Sequence, residues 1–267
     1  MEPTVLALLL GAIIGVILAL TGAGGGVMAI PLLVFALHLP IQQAAPVGLL
    51  AVGVASLLGA VLGLRQGIVR YRGALLIGGV GMMIAPLGVF MAQWLPNRPL
   101  LTAFAFLLAY IAWRTLTRSS TELQCRGATP CHVKESNKRL DWTLPCARAL
   151  SLTGLTSGLF SGLLGVGGGF VIVPALTRYT DLDIRSIQAT SLAVIALVSV
   201  SAIAASALHG SIPWAIALPF TAGAVLALPA GRLFASRLDA QVLQKIFAWL
   251  VLSVAVLMLA KAWGWMP

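Results

Sequence analysis

The sequence predicts an all-α integral membrane protein made of two inverted-topology repeats. Hydrophobic residues make up 60% of the chain and charged residues 9%, and the mean hydropathy is +1.01. A soluble globular protein carries about 25% charged residues. The chain also matches itself, without a gap, when it is shifted by 143 residues. The basic residues, however, fall in different loops of the two halves, which is the pattern that opposite orientations produce.

Distinctive residues recur at the constant shift of 143 residues along both halves. The recurring pairs include Gly11 and Gly154, Gly15 and Gly158, Gly24 and Gly167, Pro31 and Pro174, Ser56 and Ser199, and Pro86 and Pro229. Chance coincidences would not keep one offset over the whole chain, so we interpret the chain as a duplication. Duplicated hydrophobic units are typical of membrane transporters. The predicted units are a first membrane repeat, a polar basic linker and a second membrane repeat, at residues 1–116, 117–145 and 146–267.

Each half begins with a hydrophobic hairpin that glycines interrupt at its tip. In the first half, the run Val5–Leu20 stops at a glycine-rich break and resumes at Val27–Leu39. In the second half, the run Ala149–Leu164 stops at Gly165–Gly169 and resumes at Phe170–Tyr179. Longer hydrophobic segments follow, each long enough, or nearly so, to cross a hydrocarbon core of about 30 Å. They are predicted as helices at residues 44–64, 73–95, 100–116, 186–208, 213–235 and 241–263.

The basic residues predict the topology of the two halves. In the first half they lie at Arg65, Arg70 and Arg72 and around the linker. In the second half the equivalent loop, 209–213, has no fixed charge, and the cations lie elsewhere, at Arg178, Arg185, Arg232 and Arg237. Because cytoplasmic loops are enriched in Lys and Arg, we predict opposite orientations, with a cytoplasmic linker and both termini outside. The alternative, parallel repeats with an even number of crossings, would leave the second-half arginines outside.

The net charge of +10 does not indicate nucleic-acid binding, because no soluble domain is present to carry it. The linker contains four potential metal ligands, namely Cys125, Cys131, His132 and Cys146. Their spacing lacks the Cys-x-x-Cys pattern of zinc sites, so we predict no metal and incidental, solvated thiols. Disulfides are not expected in a cytoplasmic segment. We also expect this polar segment to be poorly ordered.

The two glycine breaks are the candidate binding site, with candidate residues Gly24, Gly25, Gly26, Gly167, Gly168 and Gly169. A break at membrane depth is tolerated only inside protein or along a wet cavity. The helix that resumes after each break presents free N–H groups and the positive end of its dipole, which favour an anion. The alternative is that the glycines only permit close helix packing. On the binding interpretation, Gly168→Val is expected to abolish transport and leave a folded protein.

Polar residues after the hairpins are further candidates. Gln188, Thr190 and Ser191 open the next helix of the second half, and Gln42 and Gln43 lie at the related place in the first half. Such groups can donate hydrogen bonds to an oxyanion, although interhelical hydrogen bonds or helix caps would account for each of them equally well.

The acidic residues all lie in termini, loops or the linker, namely Glu2, Glu122, Glu135, Asp141, Asp181, Asp183 and Asp239. An intramembrane carboxylate is the usual device for holding a cation, so cation transport is disfavoured. If protons are coupled, His38 or His209 is the candidate, since imidazole titrates near neutral pH. We predict no cofactor.

Two rival functions remain open at this point. An intramembrane enzyme would use Ser161, in Gly-Leu-Phe-Ser-Gly, with His209 as its base. A passive anion channel would have the same anion-attracting breaks.

The paired segments GAIIGVILALTGAGGGVMAIPLL, from Gly11, and GLTSGLFSGLLGVGGGFVIVPAL, from Gly154, resemble the signature of the TauE/SafE sulfite-exporter family. QATSLAVI and HGSIPW, from Gln188 and His209, are similar to its continuation. The resemblance implies a multi-pass permease of the bacterial inner membrane for sulfite or an organosulfonate. It also implies that the glycine breaks with Gln188, Thr190 and Ser191 line the path. In the first half, Val47 and Gly48 replace the usual Thr-Ser pair, which shifts polar contacts toward the second half. The prediction is therefore an anion transporter that works by alternating access.

Overall fold

A computed structural model describes residues 3–21, 25–117, 131, 133–134, 139–140, 143–208, 210, 212–235 and 240–263. These residues are almost entirely helical. The helices are α1 Pro3–Thr21, α2 Gly25–Ala36, α3 Ile41–Arg65, α4 Tyr71–Trp94, α5 Asn97–Thr117, α6 Leu144–Leu164, α7 Gly169–Tyr179, α8 Ile184–Leu208, α9 Trp214–Ala235 and α10 Ala240–Ala262. Two short strands, β1 Val133–Lys134 and β2 Arg139–Leu140, pair antiparallel between α5 and α6. The fold is thus helical, as predicted, apart from this small strand pair.

Four helices of the described part are long and apolar enough to cross a membrane by length and composition. They are Ile41–Arg65, Tyr71–Trp94, Arg185–Leu208 and Trp214–Gly231. Large apolar side chains are exposed on the outside of the bundle, such as Met83 at 80% and Leu226 at 73%. Such an apolar outer surface is suited to hydrocarbon rather than water. The composition and the exposed surface therefore agree on a membrane protein.

Glycines bring two pairs of helices into close contact. Gly11 and Gly15 of α1 lie against the carbonyl groups of Phe220 and Ala224 in α9, and a methyl group at either glycine would overlap them. Gly154 and Gly158 of α6 lie in the same way against Ile77 and Gly81 of α4. Small residues permit such close approach in membranes, where packing replaces the hydrophobic effect between helices. The glycines that recur in the sequence at these positions are therefore packing residues.

The order of these contacts gives the direction of the helices. The residue numbers that are in contact increase together along α1 and α9, and also along α4 and α6. The two helices of each pair are therefore parallel. In contrast, Gly53 of α3 lies against Ser199 of α8, and Gly63 lies against Ala189. The contacting residue numbers decrease along α8 as they increase along α3, so these two helices are antiparallel.

Hydrogen bonds identify the elements that lie at each end of the bundle. At one end, called the terminal end, the Ile41 N–H donates to Asn97 Oδ1 at 3.2 Å, and Lys261 Nζ donates to the Val34 carbonyl at 3.4 Å. At the other end, called the linker end, the Arg70 N–H donates to Thr190 Oγ1 at 3.1 Å. Basic residues collect at the linker end, where the described ones include Arg65, Arg70, Arg72, Arg148, Arg178 and Arg185. The terminal end has Arg98 and Lys261.

The linker differs from the predicted arrangement. Cys131 and Cys146 form a disulfide, with their Cα atoms 5.0 Å apart, so the expectation of free, solvated thiols is wrong for this pair. Both cysteines are buried. The Cys131 N–H donates to the Tyr179 carbonyl at 3.2 Å, and Cys131 pairs with Thr180 as an isolated bridge. Contact with α7 therefore holds this part of the linker against the second hairpin, whereas poor order was expected. Cys125 and His132 lie outside the described residues.

Candidate functional site

The second glycine break forms a tight turn between α6 and α7. Gly165, Gly167 and Gly168 have positive φ angles of 67°, 74° and 68°. L-residues rarely adopt this conformation, whereas glycine adopts it at little cost. The Gly165 N–H closes the end of α6 on the Ser161 carbonyl at 2.8 Å, and Gly168 is the cap residue before α7. The glycine cluster is thus required by the backbone of the turn.

The tip of this hairpin lies at the centre of the protein. The position of a Cβ atom on Gly167 would be 3.0 Å from Ile195 Cγ2 and 3.5 Å from Val52 Cγ1. Val52 and Ile195 are equivalent residues at the repeat shift of 143, and each is the twelfth residue of a 25-residue helix. At 1.5 Å per residue, this places them about 17 Å from the start of α3 or α8, close to half of a 30 Å core.

The two hairpins meet at the same place. A Cβ atom on Gly26, in the first turn of α2, would overlap the carbonyl of Val166 in the second tip. Gly165 lies against Ala45 of α3, and Gly25 packs on Leu18 of α1. Both α2 and α7 therefore begin near the contact between the hairpins. In α7 the N–H groups of Val171 and Ile172 donate to the Gly168 carbonyl at 3.0 and 3.2 Å. The earlier N–H groups of Gly169 and Phe170 are therefore the ones that helix geometry leaves for another partner. Gly24 lies outside the described residues.

Two polar candidates of the second half, Thr190 and Ser191, have hydrogen-bond partners within the protein. Thr190 and Ser191 are fully buried. Thr190 Oγ1 accepts the Arg70 N–H and so links α8 to the α3–α4 loop. Ser191 Oγ donates to the Gln188 carbonyl at 2.8 Å. Thr190 precedes Ile195 by five residues, or about 7.5 Å along the helix. Thr190 therefore lies on the linker side of the second tip.

Gln43 and His38 lie at the terminal end. Both side chains are exposed, and His38 has a left-handed backbone with φ of 53°. Gln43 belongs to the first turn of α3, about 14 Å along the helix from Val52. The structure therefore does not bring Gln43 to the contact between the hairpins. His209 lies outside the described residues, so its proposed pairing with Ser161 does too.

A small cavity of about 20 Å³, roughly the room for one water molecule, lies between the terminal end and the second tip. Polar groups on its wall come from Gln42, Gln93 and Ser206, and Gly162 and Gly165 form its inner part. The Gln42 amide donates to the Leu95 carbonyl at 3.3 Å. The lining of this cavity reaches the second tip at Gly165.

Buried serines are the polar groups that the sequence analysis did not select as a binding site. Ser56, Ser161 and Ser199 are at most 1% exposed, and their hydroxyl groups have no hydrogen-bond partner within the described structure. The sequence contains one signal for them, because Ser56 and Ser199 are equivalent at the repeat shift. In the described part, no group of three or more His, Cys, Asp and Glu side chains is arranged to bind a metal ion.

Comparisons with known proteins agree with this architecture. The chain matches the family described as "Sulfite exporter TauE/SafE" over residues 7–258. Proteins called "Probable membrane transporter protein" from Xylella fastidiosa strains 9a5c and Temecula1 are 28% and 29% identical over 262 residues. Each alignment covers 95% of this chain and 94% of the relative. "Probable membrane transporter protein YdhB" of Bacillus subtilis is 28% identical over 183 residues, 68% of this chain and 70% of that protein. No solved structure matches the chain.

The apolar helices and these relatives define a multi-pass membrane transporter, and the names of the relatives indicate transport rather than catalysis. The chain belongs to the TauE/SafE sulfite exporter family. The resemblance that the paired glycine segments indicated is therefore confirmed.

Proposed function

We propose that the protein carries a small anion, specifically a sulfur oxyanion such as sulfite or an organosulfonate, by alternating access around the meeting point of the two hairpin tips. The observation that carries this proposal is the position of Gly167 between the equivalent residues Val52 and Ile195, halfway along α3 and α8. A transporter with a site at the midplane needs such a position. The name of the sulfite exporter family suggests the sulfur-oxyanion class.

Two inverted repeats, residues 1–116 and 146–267 joined by the linker 117–145, are part of the proposal. The shift of 143 residues converts the α1–α9 pair into the α6–α4 pair, and it exchanges α3 with α8. Two equivalent helices that lie antiparallel in one bundle must have opposite orientations in the membrane. The antiparallel contact of α3 with α8 therefore supports inversion over a parallel duplication.

The anion is held in this proposal by neutral groups. The proposed contacts are the N–H groups at the start of α2 and α7 and the backbone of the two glycine breaks, Gly24, Gly25, Gly26, Gly167, Gly168 and Gly169. Gln188, Thr190 and Ser191 contribute on the linker side of the path. Such groups hold an anion without leaving a charge unpaired in the membrane between turnovers. The acidic residues of the described part, Asp181 and Asp183, lie in the α7–α8 loop.

In the proposed orientation, the arginine-rich linker end faces the cytoplasm across the bacterial inner membrane. The small cavity lined by Gln42, Gln93, Ser206 and Gly165 then lies on the outer side of the second tip. Alternating access requires this side and the linker side of the tips to open in turn.

A ligand-binding measurement tests the substrate class. The purified protein in detergent is heated with sulfite, thiosulfate, sulfate, sulfoacetate, taurine or chloride, and its melting temperature is recorded. A ligand at a hundredfold excess over its Kd stabilises the folded state by about 2.7 kcal/mol. A selective shift with a sulfur oxyanion supports the proposal. A shift with cations or neutral solutes and with no anion contradicts it.

A further inference from the structure

Ser56 of α3 and Ser199 of α8, called here the serine pair, are buried at 0% and 1% exposure. Neither hydroxyl has a hydrogen-bond partner within the described structure. A serine in a helix can usually form a hydrogen bond within its own helix, because its hydroxyl can donate to a carbonyl of the preceding turn. Ser157, Ser191 and Ser201 form such a bond, donating to Gly154, Gln188 and Val198. The serine pair does not.

The Ser199 side chain faces α3. A Cβ atom on Gly53 would lie 2.6 Å from Ser199 Cβ and 3.1 Å from Ser199 Oγ. Gly53 is adjacent to Val52, which contacts the second hairpin tip. The hydroxyl is therefore at the crossing of α3 and α8, close to the tip.

Ser56 occupies the equivalent place on the other helix. Ser56 follows Val52 by four residues and Ser199 follows Ile195 by four residues, so each serine shares a helix face with a residue that contacts Gly167. A third hydroxyl without a partner, that of Ser161, lies one turn after Ser157, which packs against Gly168. Three unpartnered hydroxyl groups thus lie within about one helical turn of residues that pack against the second tip.

We propose that the serine pair donates hydrogen bonds to the transported anion and selects a small oxyanion over a halide. A buried hydroxyl without a partner is unfavourable, and an entering oxyanion accepts from it. Two fixed donors on opposite helices suit an anion with several oxygen acceptors, whereas they give a spherical chloride ion no such directional match. This inference rests on the proposed function and adds the residues that determine its specificity.

The test compares the double variant Ser56→Ala, Ser199→Ala with the control Ser201→Ala in proteoliposomes. The Ser201 hydroxyl lies on the same helix as Ser199 and already donates to Val198 at 3.1 Å. Uptake of ³⁵S-labelled sulfite and sulfate gives KM, and competition by chloride gives selectivity. Because a charge-assisted hydrogen bond is stronger than a neutral one, we expect KM to rise at least tenfold in the double variant and to stay unchanged in the control. The advantage of the oxyanion over chloride should fall by a similar factor.

The melting temperature of the unliganded protein separates binding from a structural role. Removing a hydroxyl that has no partner leaves no group unsatisfied, so the double variant should melt at the same temperature as the wild type or higher. An unchanged KM in the folded double variant would overturn the assignment and leave the proposed transport intact. A lower melting temperature would show that the hydroxyls stabilise the fold, which also overturns it. Absence of oxyanion uptake by the wild type would overturn the proposed function, and the serine assignment with it.

Discussion

The backbone conformation of Gly168 changes the expected effect of replacing it with valine. The sequence indicated that Gly168→Val would block the site in a folded protein. In the structure, Gly168 has φ of 68°, and a Cβ atom would lie 2.7 Å from the Ser157 carbonyl oxygen. Valine would therefore be strained and would also overlap α6, so we now expect this variant to fold poorly. A test of the site needs a milder change with a matched control.

Gly167 and Gly67 provide that match. Their φ angles are 74° and 69°, so alanine is strained by a similar amount at both, about 1 kcal/mol. Only at Gly167 would the new methyl group meet neighbours, Ile195 and Val52, whereas nothing lies within 4 Å at Gly67. We expect Gly167→Ala to reduce sulfite uptake at least tenfold and Gly67→Ala to retain it, as measured in proteoliposomes. Equal uptake by the two variants would show that the hairpin tip is not part of the binding site.

The partners of individual side chains could not be predicted from the sequence. Thr190 is predicted to bind an oxyanion, and nothing in the sequence indicates that its hydroxyl also accepts the N–H of Arg70, 120 residues earlier. The serine pair was visible only as a coincidence of the repeat. Whether a helix serine turns back to its own carbonyl or faces a neighbour depends on its rotamer and on how the helices cross, which composition does not reveal.

Helix positions, in contrast, followed from the sequence. The predicted segments 44–64 and 186–208 correspond to α3 and α8 at Ile41–Arg65 and Ile184–Leu208. The second glycine break also occurs where expected, since α6 ends at Leu164 and α7 begins at Gly169. Hydrophobic length and glycine position are local properties of a chain, so they can be recognised without knowing the packing. The α5 and α10 helices were also predicted to span the membrane. In the described part of the chain they do not reach the combined length and hydropathy of α3, α4, α8 and α9.

The close contact of α4 with α6 predicts opposite effects of two alanine substitutions on α4. A methyl group at Gly88 would lie 2.5 Å from the Leu159 carbonyl oxygen, whereas at Gly79 nothing lies within 4 Å. Gly88→Ala should lower the free energy of unfolding by about 1–3 kcal/mol through overpacking. Gly79→Ala should raise it by about 0.5–1 kcal/mol, since alanine loses less backbone entropy in a helix. Thermal melts in detergent measure both, and a Gly88→Ala variant as stable as Gly79→Ala would contradict the helix pairing.

The disulfide joins the linker to the second hairpin. It was not foreseen, because the pairing of cysteines 15 residues apart depends on the path of the chain between them. The chain has three cysteines, so the unreduced, denatured protein should take up one maleimide and the Cys131→Ser variant two. Intact mass spectrometry counts the labels. Three labels on the unreduced wild type would show that the bond does not form.

The protein as a whole shows two features at the linker end that favour different compartments. Arginine-rich loops favour the cytoplasm, whereas disulfides persist in oxidising compartments. We give the charge pattern more weight, because many residues contribute to it and the disulfide is one local pair.

Labelling in spheroplasts tests this orientation. His38 and Gln66 are exposed at the terminal and linker ends, respectively. In a variant without the native cysteines, a membrane-impermeant maleimide should label His38→Cys from outside and Gln66→Cys only after permeabilisation. The reverse pattern would place the linker outside, and labelling of both from one side would contradict a spanning bundle.

Exchange of substrate across a membrane tests the central claim, that the hairpin tips form one site that opens to each side in turn. Proteoliposomes loaded with unlabelled sulfite are diluted into ³⁵S-labelled sulfite, and uptake above the equilibrium level is followed. We predict transient accumulation with the wild type and with Gly67→Ala, and none with Gly167→Ala, because a carrier couples exit of one anion to entry of another. Uptake that is fast but never exceeds equilibrium, or accumulation that Gly167→Ala retains in full, would contradict alternating access at the tips.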